Sequence, residues 1–319
     1  MAHKNRSNWS PYKDRNKSSH KADGPGKSTG TRDGHTGTSG KASPTKSGAA
    51  KSGIAKPGAA KTAAGKVHSQ DGQRHRKPQE TYSFNEADDR IYDIFRNHEF
   101  GDYPHEKRQQ LTRFYELLSQ NQHEQNFTRL TTLRDIAIKH FIDSLIVTRL
   151  VDLKFPLLDM GTGPGFPGIP LKVHFFEDKI VLGEGVQRRV EFLKHVREQL
   201  KLENLPIIGR NINLEFFYPV QGVITRAVED ARNTLGNVVN CLQTGGSVYL
   251  MKGPNCGPEI EMALEAWGEY FKLTDDISYS LPKTPHERRL LVFEKLKPHP
   301  LPNFEELDLA WEREFGESE

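Results

Sequence analysis

Three stretches hold residues whose types and spacing could carry chemistry. The first is Leu157-Leu-Asp-Met-Gly-Thr-Gly-Pro-Gly-Phe-Pro-Gly168. Two leucines and one acid, Asp159, run into glycines at 161, 163 and 165, as where a strand ends in a turn and a helix begins. Gly161, Gly163 and Gly165 let the backbone take φ > 0 and come close to a ligand. Pro167 and Pro170 suit a first helical turn, whose free N–H groups present positive potential to a bound molecule. Gly163, Gly165 and Gly168 match G-x-G-x-x-G, the dinucleotide spacing, although a glycine turn with no ligand fits it too. The second stretch, Lys179-Ile-Val-Leu-Gly-Glu184, ends in an acid. Glu184 stands about where a carboxylate takes the paired hydroxyls of a ribose; the plainer reading is a solvated strand-end acid. The third is His140-Phe-Ile-Asp143, whose two polar groups share a helix face at i, i+3. They read as a catalytic pair, as half a metal site, or as a hydrogen-bonded pair that serves helix packing.

These groups need a scaffold, and the apolar pattern supplies one. Ile91, Tyr92, Ile94 and Phe95, then Leu111, Phe114, Tyr115, Leu117 and Leu118, recur at helical spacing, with a break at Asp102-Tyr-Pro104. A third helix is predicted over about 134–150. After the glycine loop, strands alternate with helices. The segments 179–184, 205–209, 222–226 and 247–251 read as strands two to five, with a basic amphipathic helix over 187–200. Asp230 is placed to cap a helix running to about Leu242, and Thr244-Gly-Gly246 reads as the turn before strand five. A further helix is expected near 259–267. Two last strands, 272–281 and 288–294, flank a loop too short for a crossover helix and so pair antiparallel. The fold class is α/β: a doubly wound, Rossmann-like, seven-stranded sheet with a terminal antiparallel hairpin and a small helical N-terminal cap. A ligand belongs at the carboxyl ends of strands one, two and four, onto which Asp159, the glycine loop, Glu184 and Arg226 are expected to project.

Composition bounds the rest. The formal net charge of +3 divides into +12 over residues 1–80 and −9 over the remainder. The basic segment has only Met1, Trp9, Tyr12, Ile54 and Val67 as large apolar groups, too few to offset the entropy of ordering it, so disorder is expected there. The expected organisation is a disordered basic tail (1–80), a helical N-terminal subdomain (81–150), the catalytic sheet domain (151–297) and an acidic C-terminal extension (298–319). Lys41, Lys46, Lys51, Lys56, Lys61 and Lys66 recur every five residues, which matches no helical face. They read either as an even polycation for phosphate backbones or as a linker kept soluble by charge. Cys241 and Cys256 form neither a disulfide framework nor a C-x-x-C motif, and no metal is expected. No apolar run reaches the ~18–20 residues of a membrane span. No signal core follows Met1; a transit peptide is the minor alternative for so basic a start. Asn126-Phe-Thr128 is a formal glycosylation sequon without meaning in the absence of secretion.

With these residues in place, the chain resembles the bacterial ribosomal RNA small-subunit methyltransferase G family, also called glucose-inhibited division protein B. The resemblance runs from about Leu111 to Lys295. Its most specific piece is Asp159-Met-Gly-Thr-Gly-Pro-Gly-Phe-Pro-Gly-Ile-Pro170, backed by Asn126-Phe-Thr128, His140-Phe-Ile-Asp-Ser-Leu145, Arg188-Arg-Val-Glu-Phe-Leu193, Thr225-Arg-Ala227, Leu250-Met-Lys-Gly253 and Glu287-Arg288. It implies a class I S-adenosylmethionine-dependent methyltransferase acting on N7 of one guanine in the decoding region of 16S ribosomal RNA. The implied partner is 16S RNA in the small subunit or its precursor. A cytoplasmic monomer with no membrane partner is expected. Carried over by position, the cofactor contacts fall on Gly161, Phe166, Asn211, Ile212 and Arg226, joined by Asp159, Gly163, Gly165 and Glu184 from the reading of the loop and strand two. Glu184 replaces the family's Asp and keeps the carboxylate. Asn211, Ile212 and Asn213 are uncharged where the family usually has an acid. Arg289 stands for a usual His and Gln221 for a common Asp.

Guanine N7 carries an in-plane lone pair and no proton, so its methylation needs no general base. Catalysis then reduces largely to positioning. Arg226, Lys252 and Arg288 are candidate RNA contacts at the pocket rim, with His140 and Asp143 as positioning candidates. Two further readings stay open: a nicotinamide-dependent oxidoreductase, argued from G-x-G-x-x-G, and an inactive methyltransferase fold that binds or assembles ribosomal RNA, argued from the neutral Asn211–Asn213.

Overall fold

A computed structural model of the protein describes residues 82–125 and 130–300. The basic segment, the 126–128 sequon and the acidic stretch from 301 onward lie outside them.

The chain opens with α1 (Phe84–Asn97) and α2 (His105–Gln125). Ser83 caps α1 by accepting from the Glu86 amide at 3.4 Å. Asp88 of α1 takes charge-assisted bonds from Arg108 Nε at 3.1 Å and Nη2 at 3.3 Å and one from the Thr112 hydroxyl at 3.0 Å, so the buried acid has three donors and fixes the two helices together. The predicted third helix is a composite: α3 (Leu133–Ile136), a π-helical stretch (Ala137–Ile142), α4 (Asp143–Leu145) and α5 (Val147–Leu150). Its π wind sends the Asp143 amide back to the Ile138 carbonyl, five residues away, where an α-helix would have used Lys139.

The remainder alternates: β1 (Leu157–Met160), α6 (Gly168–His174), β2 (Ile180–Gly183), α7 (Gln187–Gln199), β3 (Ile207–Ile208), β4 (Val220–Arg226), α8 (Ala231–Val238), β5 (Leu242–Lys252), α9 (Gly257–Trp267), β6 (Phe271–Ser280) and β7 (Glu287–Lys295). The sheet order is β3-β2-β1-β4-β5-β7-β6. β1 to β5 run parallel, and β7 is antiparallel to both β5 and β6. This is the doubly wound seven-stranded sheet with a terminal antiparallel hairpin expected from the sequence. An antiparallel strand wedged between β5 and β6 departs from the parallel dinucleotide-binding sheet that the oxidoreductase reading requires.

Alternation along each strand feeds two cores. Leu157, Ile180, Leu182, Ile224, Tyr249 and Met251 face the layer built from α1 to α7. Leu158, Val181, Val223, Val248 and Leu250 face α8 and α9. Both sheet faces are therefore covered, which is why the strands read as continuous apolar runs. The N-terminal helices share the first core with the sheet.

Two boundaries differ from expectation. α8 stops at Val238 and β5 begins at Leu242, so Thr244-Gly-Gly246 lies inside the strand. β3 has shrunk to two residues. No helix among the described residues is long and apolar enough to cross a membrane.

Candidate active site

The order of strands reverses between β1 and β4, which opens a crevice at their carboxyl ends. There the chain leaves β1 through the glycine loop. The amides of Gly161 and Thr162 both donate to the Gly183 carbonyl, at 2.9 and 3.1 Å, which pins the loop to the end of β2. Gly163 sits at φ +61°, and a Cβ placed on it would meet nothing within 4 Å. It is the loop position whose backbone faces open space. Gly165, at φ +116°, differs: a Cβ there would stand 2.6 Å from Ile169 Cγ1 and 3.2 Å from the Phe114 ring. The Cβ side of Gly165 thus faces the core, where only glycine fits.

Asp159 lies beneath the loop. It is fully buried and lines neither cavity of the crevice. Its Oδ2 accepts from the Gly168 amide at 2.7 Å, across the loop at the start of α6. Burial pushes the carboxyl up to about 7; the Thr162 hydroxyl and the Gly168 amide oppose that rise. The acid is a latch that closes the glycine loop from beneath.

Glu184 follows β2 and is 4 % exposed. Its Oε2 accepts from the Gly163 amide and its Oε1 from the Val186 amide, both at 2.9 Å, with Arg189 Nη1 at 3.5 Å. A carboxylate offers about four lone-pair sites, so acceptor capacity remains on this wall. A cavity of about 620 Å³ lies against it, bounded also by Gly161, Asn211, Ile212 and Ala227. That size suits a nucleoside-bearing ligand.

A smaller cavity of about 230 Å³ adjoins the first and shares Gly161, Arg189, Ala227 and Val228 with it. Its distinct wall is aromatic and cationic. His140 stacks on Phe166 with ring centroids 4.2 Å apart and 11° between planes. Arg226 lies over the same ring, 5.6 Å from its centroid. Arg226 Nη1 donates to the Lys139 carbonyl at 2.9 Å and to Asp143 Oδ2 at 3.0 Å, and Nη2 meets His140 Nδ1 at 2.7 Å. Burial, and secondarily the Arg226 charge, drive the imidazole down to about 3. His140 is therefore neutral and Nδ1 accepts from the guanidinium. His140 and Asp143 are joined through Arg226, where the sequence suggested a bond between them.

Arg288, on β7, completes this cluster: its Nε lies 3.5 Å from Asp143 Oδ1. Lys252 lines neither cavity. Its Nζ is 2.5 Å from the Glu229 carbonyl and 2.7 Å from Glu259 Oε2, while Glu259 also accepts from the Ala231 amide at 3.1 Å. Lys252 thus joins β5 to α8 and α9.

Sequence reasoning missed Arg189, Ala227 and Val228 as lining residues. Arg189 had a signal, since it lies within the first turn of α7, next to Glu184. Ala227 takes φ +54°, an uncommon conformation for a side-chain-bearing residue, and swings Val228 over Gly161. No residue type announces that turn.

Comparison with known proteins agrees with this geometry. The family model for rRNA small subunit methyltransferase G matches residues 107–277. Ribosomal RNA small subunit methyltransferase G 2 of Bdellovibrio bacteriovorus is 63% identical over 233 residues, covering 73% of this chain and 91% of that protein. A protein of the same name from Syntrophobacter fumaroxidans is 44% identical, over 59% of this chain and 38% of its own greater length. Ribosomal RNA small subunit methyltransferase G of Carboxydothermus hydrogenoformans is 36% identical over 61% of this chain and 86% of its own. The chain belongs to the rRNA small subunit methyltransferase G family.

Proposed function

We propose that this chain transfers a methyl group from S-adenosylmethionine to N7 of a guanine in 16S ribosomal RNA. It acts as a cytoplasmic monomer, on the small ribosomal subunit or its precursor. The observation that carries the reading is the pair of contiguous cavities at the switch point, one walled by a buried carboxylate and the other by an aromatic stack with an arginine.

The residues present fit the cofactor. Gly163 leaves open space where a Cβ would stand, so backbone at Gly161 to Gly163 admits a ligand in close approach. Glu184 keeps lone pairs for a ribose hydroxyl pair, and Asn211 and Ile212 border the same cavity as an edge for adenine. The neutral Asn211–Asn213 triplet leaves adenine recognition to backbone groups and the Asn amides. Bound S-adenosylmethionine supplies a methyl already activated by its sulfonium charge.

The protein's own work is positioning. Guanine N7 bears no proton to remove, and the neutral, Arg226-bonded His140 is not set up as a base. Phe166 and His140 form a flat wall, and holding N7 in line with the methyl is worth up to ~7–11 kcal/mol in favourable cases. The base must be unstacked or already exposed to enter.

The test is incubation with labelled S-adenosylmethionine and either small subunits or naked 16S RNA, followed by mapping of the label. Label on N7 of a single guanine is expected. Label on another base atom, or on none, refutes the assignment.

A further inference from the structure

We propose that Arg288 is a positioning residue for the cofactor: it acts through Asp143 on Arg226 and itself lines neither cavity. This rests on the methyl-transfer reading above and adds to it a residue that tunes the hold on the cofactor's amino-acid end.

The three residues sit on three separate elements. Arg226 ends β4, Arg288 is near the start of β7, and Asp143 opens α4. β5 lies between β4 and β7, so no ladder of backbone bonds joins the two arginines directly. Met251 of β5 stands opposite Arg226 on one side and Leu290 on the other. Arg288 is two residues before Leu290 and so shares its sheet face. Asp143 spans the gap. Its Oδ2 accepts from Arg226 Nη1 at 3.0 Å, and its Oδ1 lies 3.5 Å from Arg288 Nε.

The balance of charge turns this bridge into a lever. Asp143 is 2 % exposed, and its Oδ1 accepts no hydrogen bond. Among the described residues, its ion pairs are those with Arg226 and Arg288. One buried carboxylate therefore serves two guanidiniums. Tyr279, opposite Arg288 on β6, adds no second anion, because burial, and secondarily the charge of Asp143, raise its phenol well above the ordinary range. Attraction between buried charges is weakly screened, so the share of the acid held by Arg288 is withheld from Arg226. Removing Arg288 gives the whole charge to Arg226 and draws its guanidinium toward the helix.

Arg226 lines the smaller cavity, and Arg288 lines neither. Three of the five Arg226 donors go to the Lys139 carbonyl, Asp143 and His140, which leaves two for a ligand. A guanidinium offers donors and positive charge alone, and the one anionic group of S-adenosylmethionine is its carboxylate. The methionine end accordingly belongs with Arg226, beyond the adenosine beside Glu184. The more fully Asp143 neutralises Arg226, the weaker that contact becomes.

The test is calorimetry on the full chain with two ligands. S-adenosylmethionine carries the carboxylate; 5′-methylthioadenosine keeps the adenosine and lacks the amino-acid end. Arg288→Gln is expected to weaken S-adenosylmethionine on the order of 5-fold and to leave methylthioadenosine within ~2-fold of wild type. Arg288→Lys returns a cation to Asp143 and should bind S-adenosylmethionine within ~2-fold of wild type. In an Asp143→Asn background, Arg288→Gln should change S-adenosylmethionine affinity by less than ~2-fold, because the link is gone. The Arg288 variants with the two ligands decide the matter without the Asp143→Asn protein should it not fold. Unchanged S-adenosylmethionine affinity in Arg288→Gln overturns the proposal. So does an equal loss for methylthioadenosine, which marks general damage to the site, or an equal loss in the Asp143→Asn background, which marks an effect that bypasses the acid. A wild type that binds neither ligand refutes the methyl-transfer reading itself.

Discussion

Asp159 Oδ2 accepts the Gly168 amide at 2.7 Å, and a Cβ built on Gly168 would stand 2.6 Å from that same oxygen. The latch beneath the glycine loop thus requires a residue without a side chain at the start of α6. Gly168→Ala should cost ~2–4 kcal/mol, because either the acid or the helix must shift within a packed core. Urea unfolding reads this directly, and a variant within ~0.5 kcal/mol of wild type would show that the latch yields freely.

The same acid makes stability depend on pH in a defined direction. Burial raises the Asp159 carboxyl in the folded protein to about 7, above its ordinary value of 3.8. The folded state therefore holds the proton more tightly than the unfolded one. Its contribution is fully present below about 4 and is lost as pH rises through about 7. Asn keeps an oxygen for the Gly168 amide and has no charge to bury. Asp159→Asn should accordingly gain on wild type as pH rises from 4 to 7, by about 4 kcal/mol at the upper end. Urea midpoints at a series of pH values check it. A constant difference across that window would mean that Asp159 stays charged throughout.

What the sequence could reveal followed from locality. β1, β2 and β7 are apolar on both faces, so Leu157-Leu158, Ile180-Val-Leu182 and Leu290-Leu-Val-Phe293 stand out as runs. β5 was misread because Gly245 and Gly246 look like a turn. In fact they let β4 and β5 slip in register between Val220 and Gly222, and a Cβ on Gly246 would meet two backbone carbonyl oxygens within 2.8 Å. Within the site, Glu184 was legible because strand-end position follows from the strand. The binding of Arg226 to Asp143 was not, since the partners are 83 residues apart and the geometry depends on a π wind that no spacing announces. Asp159 had the right place in the chain, but strand alternation alone did not say whether its carboxylate faced the ligand or the latch.

Glu184 of the larger cavity and Gly163 of the smaller can be separated by substitution. Glu184→Gln retains one oxygen for the two amides it now serves and loses the charge, so S-adenosylmethionine affinity should fall on the order of 10-fold. Gly163→Ala places a methyl into the open space at φ +61°, with a conformational cost of about 1 kcal/mol. It should weaken cofactor binding more than it lowers stability. Calorimetry paired with thermal melts distinguishes the two effects. A Gly163→Ala protein that binds normally would remove the loop backbone from the cofactor contact.

Lys252 supplies the contrast with a residue whose place is structural. Its ammonium is about one-tenth exposed and is shared between the Glu229 carbonyl and Glu259, which in turn holds the N-terminus of α8 through the Ala231 amide. Removing the cation leaves a partly buried carboxylate and a carbonyl without their donor. Lys252→Met should therefore destabilise by ~1–3 kcal/mol. RNA contacts predict something else: each phosphate-bound cation contributes up to ~0.9 to the slope of log K against log salt. Lys252→Met is expected to keep that slope and the S-adenosylmethionine affinity of wild type while melting earlier. A slope reduced by close to one with unchanged stability would return Lys252 to the RNA interface.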